Sequence, residues 1–284
     1  MSSMVQPLVT YGRMIKLSHS IFAMPFALAA AALAARSHPV SVGQIFWIVW
    51  CMVMARSSAM GFNRLVDRKY DAMNPRTQIR EIPSGQISVS AAWMFTIGSG
   101  ALFVMGAAIL GKTTLLLSPV ALVVVWGYSL TKRFTALCHV VLGIALAISP
   151  TAAWIALTDS WGWTPAILSA IVGTWVAGFD ILYACQDADF DRGLGLHSIP
   201  AALGVRGALW VSAVLHVGTV ALLIALPATI ALSWPYVVGV LVLSGVLAYE
   251  HAIVSPGDLS RINKAFFDLN GYVSLCFLGF VLIS

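Results

Sequence analysis

Apolar residues fill this chain in long runs, broken by short polar or Gly/Pro-containing stretches, from about residue 18 almost to its end. Crossing a bilayer takes about 20 predominantly apolar residues per helix. Runs of that size recur nine times, at 18–36, 42–62, 89–110, 114–130, 136–157, 164–186, 206–227, 230–252 and 264–283. The break from Pro227 to Ser233 is the least distinct. The pattern predicts an all-α polytopic membrane protein, with nine transmembrane helices in one bundle around a central cavity. Residues 1–284 then form a single domain, with polar loops 63–88 and 187–205 capping an active site.

Composition agrees: 60% of residues are hydrophobic and 10% charged, where a soluble domain carries about 25% charged residues. A formal charge of +5 invites comparison with nucleic-acid binders, but its distribution excludes that class. With the N-terminus inside, thirteen Lys and Arg fall in inner segments and only Arg36 and Lys112 in outer loops. That is the positive-inside pattern of a cytoplasmic membrane protein, and nine spans place the C-terminus outside. The opening resembles a secretory leader, with Ala32-Leu33-Ala34 after an apolar run, but the run is longer than an h-region and reads as a span. Cys51, Cys138, Cys185 and Cys276 all lie in spans without CxxC spacing, as packing residues do. No feature calls for a protein partner.

Only eleven residues are acidic, and all but Asp159 fall on the inner side or within a span. After the second span comes Asn63-x-x-x-Asp67-x-x-x-Asp71, and at the end of the sixth comes Tyr183-x-x-x-Asp187-x-x-x-Asp191. Spacing of i, i+4, i+8 puts each trio on one stripe of a helix. Asp189 is off the stripe and reads as a solvated neighbour. Each cluster leads into a loop with an Ile-Pro, Ile82-Pro83 or Ile199-Pro200, and four spans separate the two. This suggests a pseudo-repeat of four-helix units, their acidic helix ends facing across a cavity.

Carboxylates four residues apart repel unless a cation lies between them. All-oxygen ligands suit Mg²⁺, which takes one or two carboxylates and completes its shell with water and phosphate. Two such helix ends could hold two Mg²⁺ with a diphosphate. Four carboxylates and a diphosphate carry roughly −7 against +4 from the metals, so cations such as Arg76, Arg80 and Lys132 are needed nearby. Arg56 and Asp180 each lie seven residues before a motif, on the same stripe and roughly 10 Å deeper. Ionisable groups at that depth face a polar interior and pair, either with each other or with a polar substrate. His19, at a span entrance, reads as a packing or capping residue.

The two clusters resemble the NxxxDxxxD and YxxxDxxxD motifs of the UbiA-type intramembrane aromatic prenyltransferases. Arg80-Glu81-Ile82-Pro83-Ser84-Gly85 is similar to that family's R-x-x-P-S-G loop, and Tyr128-Ser129-Leu130-Thr131-Lys132-Arg133-Phe134-Thr135 to its Y-x-x-x-K-R-x-T segment. The resemblance implies Mg²⁺-dependent transfer of a polyprenyl group from its diphosphate to a small aromatic acid, most similar to 4-hydroxybenzoate prenylation in quinone biosynthesis. It implies metal ligation by Asn63, Asp67, Asp71, Asp187 and Asp191, with Arg76, Arg80 and Lys132 on the donor diphosphate and Tyr183 among the substrate-binding residues. Arg56 and Asp180 would then serve the acceptor. The opening from Ile15 to Phe26 lacks the Asp-Lys-Pro common in 4-hydroxybenzoate enzymes and looks like a sister branch that includes menaquinone enzymes of the futalosine route. Dihydroxynaphthoate, homogentisate and haem are alternative acceptors. A small-solute transporter is the rival of a different class, and it predicts helices broken near the midplane.

Overall fold

The computed structural model describes residues 5–16 and 23–284. His19 lies outside the described residues. The described elements are helical: α1 (Val5–Met14), α2 (Met24–Ala34), α3 (Val42–Met73), α4 (Val89–Leu110), α5 (Lys112–Thr131), α6 (Cys138–Thr158), α7 (Trp163–Ala184), α8 (Ala188–Gly193), α9 (Ile199–Ala225), α10 (Trp234–Ala252), α11 (Ile262–Lys264) and α12 (Asn270–Leu282). Among the described residues, eight stretches are long and apolar enough to cross a membrane. The first expected span is represented by α2, a shorter apolar helix of 11 residues.

Helix boundaries follow local chemistry. No proline interrupts α3, so it continues past its apolar part for 32 residues, about 48 Å at 1.5 Å per residue. That exceeds a hydrocarbon core of about 30 Å, and the surplus carries the first acidic motif. Asn74 and Pro75 follow its end. Ser88 caps α4 by accepting the Ala91 N–H at 3.2 Å, and Ser198 caps α9 by accepting that of Ala201 at 3.2 Å. The expected start of the seventh span, residue 206, coincides with a bend: Gly204 has φ 70° inside α9, a conformation that glycine adopts without a Cβ penalty.

The chain divides into two compact units, residues 1–20 with 46–130 and residues 21–45 with 131–284. In the first, Met14, Ile15, Leu65, Ile82, Ile87 and Ala92 form the buried cluster, and Tyr11 stacks on Phe95 at 5.0 Å. Small residues allow close helix contact there, as in other membrane bundles. Ser58 donates to the Thr96 carbonyl at 2.8 Å and accepts the Trp126 indole N–H at 3.0 Å. In the second unit, Phe26 stacks on Phe277 at 4.6 Å and meets Trp175 at 5.1 Å. A Cβ on Gly143 would collide with the Gly173 carbonyl, so α6 and α7 cross at glycine.

Candidate active site

The first acidic cluster lies within the first unit and is continuous with α3, as its spacing predicts. Asn63 donates to Asp67 Oδ2 at 3.0 Å and lies 3.4 Å from Ser129 Oγ. Its amide oxygen accepts from Arg64 Nη1 at 3.2 Å. Arg64 is itself buried, with Nε donating to the Met14 carbonyl at 3.4 Å. Asp71 is buried and pairs through Oδ1 with Arg80 Nη1 at 2.6 Å. Its Oδ2 is buried with no hydrogen-bond partner among the described residues, a costly state for a carboxylate oxygen and one that a cation would relieve.

The loop after α3 returns Arg80 to Asp71. Gly85, at φ 76°, supplies the positive-φ turn that ends the Arg80–Gly85 segment, and Ile87 N–H closes on the Glu81 carbonyl at 2.9 Å. Arg76 is exposed on the same loop. Lys16 lies outside the spans, partly buried near this cationic group. Desolvation, followed by the charges of Arg64, Arg80, Arg76 and Arg56, lowers its pKa to about 8. Cationic crowding of this kind favours an anionic ligand. Arg56 is deeper in α3, and its Nε is buried without a hydrogen-bond partner among the described residues.

The second cluster lies within the second unit and departs from the expected stripe. α7 ends at Ala184, a 3₁₀ turn covers Cys185–Asp187, and Asp191 falls on α8. Tyr183, Asp187 and Asp191 therefore do not share one continuous α-helical face, because the 3₁₀ turn has 3.0 residues per turn instead of 3.6. Tyr183 stacks on Phe266 at 4.1 Å, and Asp187 is partly buried. Asp191 is fully buried; Lys132 Nζ stands 2.7 Å from its Oδ1 and Ser198 Oγ donates to its Oδ2 at 2.9 Å. Asp189 is exposed and pairs with Arg192 at 2.9 Å, the solvated neighbour its position predicts.

Sequence reasoning overlooked Ser198 and His139. His139 Nδ1 lies 2.7 Å from Asp180 Oδ2, on the first turn of α6 and directly after the Lys132–Thr135 segment. An ionisable residue at a span entrance was the available signal. Among the described residues, no three His, Cys, Asp or Glu side chains converge into a metal cage. The donor sets, an amide oxygen and two carboxylates in one unit and two carboxylates in the other, instead suit Mg²⁺ that completes its shell with phosphate oxygens.

Comparison with known proteins identifies the family. The UbiA prenyltransferase family matches residues 23–272. A 4-hydroxybenzoate octaprenyltransferase of Enterobacter sp. (strain 638) is 32% identical over 232 residues, 81% of this chain and 78% of that protein. One from Escherichia fergusonii is 30% identical over the same shares. Among solved structures, an apo UbiA homologue from Aeropyrum pernix K1 superposes with a TM-score of 0.85 at 32% identity, over 93% of this chain and 97% of that one. A UbiA homologue from Archaeoglobus fulgidus, solved with DMAPP and Mg²⁺, shares the fold with a TM-score of 0.77 at 19% identity, over 96% and 98% of the two chains. The chain is thus an integral-membrane enzyme of the UbiA prenyltransferase family.

Proposed function

We propose that this enzyme transfers a polyprenyl group from polyprenyl diphosphate to a small aromatic acid, 4-hydroxybenzoate first among the candidates, in ubiquinone or menaquinone biosynthesis. The active site would face the cytoplasm from the cell inner membrane. The observation that carries this is the Asn63–Asp67–Asp71 stripe on one unbroken helix, with a buried, unpartnered oxygen on Asp71 amid cations. Support for the acceptor comes from the names of the relatives; for donor and metal, from the Archaeoglobus homologue with its DMAPP and Mg²⁺.

Asn63, Asp67, Asp71, Asp187 and Asp191 are the residues suited to hold Mg²⁺, two ions by charge count. When bound, Mg²⁺ neutralises the charge that builds on the departing diphosphate. Asp71 and Asp191 each keep a cation at hand, Arg80 and Lys132 respectively. On donor binding those side chains are available to diphosphate oxygens, joined by Arg76, while Tyr183 borders the donor. Arg56 would take the acceptor carboxylate, which its planar fork matches. Asp180 would accept a hydrogen bond from the acceptor hydroxyl or take the ring proton after C–C bond formation. The loops after α3 and α8 exclude water that would otherwise capture the allylic cation.

Membranes containing the enzyme should be incubated with one polyprenyl diphosphate and a panel of aromatic acceptors, with and without Mg²⁺. Prenylated 4-hydroxybenzoate is expected, lost on chelation and reduced at least 100-fold by Asp67→Asn or Asp187→Asn. Activity of either variant within a few-fold of wild type would remove the metal assignment. Prenylation of a different ring alone would overturn the acceptor, and solute uptake into vesicles without product would favour the transporter.

A further inference from the structure

His139 is 3% exposed, and both of its ring nitrogens are engaged. Nε2 accepts the Ile199 N–H at 3.4 Å. Ile199 is the first residue of α9, so its N–H has no partner within the helix. A neutral imidazole that accepts at one nitrogen carries its proton on the other. That tautomer and the imidazolium both carry a proton on Nδ1, directed along the 2.7 Å contact to Asp180 Oδ2. The backbone around Ile199 is anchored independently: His197 N–H donates to the Lys132 carbonyl at 2.7 Å, and Ser198 holds Asp191. Those contacts fix the α9 end, the α9 end abuts the imidazole at Nε2, and the imidazole holds one oxygen of Asp180 through Nδ1. The Asp180 side chain is 23% exposed against 4% for His139, so the carboxylate keeps accessible surface while its partner does not.

We propose that His139 is a positioning residue for prenyl transfer: it fixes the rotamer of Asp180 and so sets how the aromatic acceptor is oriented. This role rests on the acceptor-binding function proposed for Asp180. Helix capping alone is the alternative, and the two halves of the imidazole separate them. Asparagine can place an amide N–H where Nδ1 stands but cannot reach the Nε2 position, so it keeps the Asp180 contact and loses the cap.

The experiment is steady-state kinetics on purified Asp180→Asn, His139→Leu and His139→Asn, varying donor and acceptor separately, with a thermal melt of each. Asp180→Asn and His139→Leu should both lower kcat/KM for the acceptor at least 10-fold, with the donor KM changed less than 2-fold. His139→Asn should recover to within about 3-fold of wild type. Wild-type kinetics in Asp180→Asn would overturn the acceptor role of Asp180 and the positioning role with it. A defective Asp180→Asn beside an unaffected His139→Leu, or equal kinetic loss in His139→Leu and His139→Asn, would overturn the positioning role alone. Should His139→Leu fail to fold, His139→Gln decides, because its longer amide reaches the Nε2 position and keeps the cap but leaves the Nδ1 position empty: acceptor kcat/KM lowered at least 10-fold supports positioning, and wild-type acceptor kinetics refutes it.

Discussion

At the scale of single residues, the sparse charges carry most of the information. Lys16 shows it most directly. Its pKa of about 8 is below the ordinary value of about 10.4, so the unfolded chain binds more protons than the folded one between about pH 8 and 10.4. Lys16 therefore destabilises the fold below that window, and the deficit disappears as pH rises through it. A bound diphosphate would act in the opposite direction by favouring the ammonium form. Donor binding at pH 8.5 should take up protons, and the uptake should vanish in Lys16→Met; calorimetry in two buffers of different ionisation enthalpy measures it. Arg56, with its unpartnered buried Nε, should report on the acceptor. Arg56→Ala is expected to raise the acceptor KM at least 10-fold with donor KM unchanged, and a change confined to donor KM would end the carboxylate assignment.

Among elements, the acidic motifs behaved differently because their backbones do. The first motif was legible because α3 has no breaker before Pro75, so i, i+4, i+8 spacing translated directly into a stripe. The second was legible in composition but not in shape. Nothing in Cys185-Gln186-Asp187 announces a 3₁₀ turn, which is decided by how the α8 and α9 segments pack back onto the end of α7. Asn270 illustrates a feature that only packing created. Its amide accepts the Trp175 indole N–H at 2.7 Å and donates to Glu250 Oε1 and to the Ala265 carbonyl, each at 3.0 Å. One side chain thus ties α7, α10 and α12 together and satisfies a carbonyl of the π-helical turn at Ala265–Leu269. Asn270→Ala removes three buried hydrogen bonds and leaves the Trp175 indole N–H and a Glu250 carboxylate oxygen unpaired, at about 1–3 kcal/mol each. A melting temperature lower by several degrees in detergent is expected, and an unchanged one would show that the network contributes nothing to stability.

For the whole molecule, the distribution of charge predicts orientation. Ser84 and Ser160 are both exposed, on loops assigned to the inside and outside respectively. In spheroplasts, a membrane-impermeant maleimide should label Ser160→Cys directly and Ser84→Cys only after permeabilisation. The reverse pattern would invert the topology and move the proposed site to the outer face. The sequence by itself determined the membrane class, the approximate placement of the apolar spans and the positions of the acidic clusters along the chain, though not that α3 runs on to Met73 or that α9 begins at Ile199. Apolar run length and the cost of charge in hydrocarbon are properties of local composition, which no packing arrangement can alter. Tertiary structure decided which cation neutralises which acid. Arg80 on Asp71 is a short-range loop closure, but Lys132 on Asp191 and His139 on Asp180 join segments 59 and 41 residues apart. Such partners are chosen by where helices cross, and a single chain of letters carries no record of the crossing.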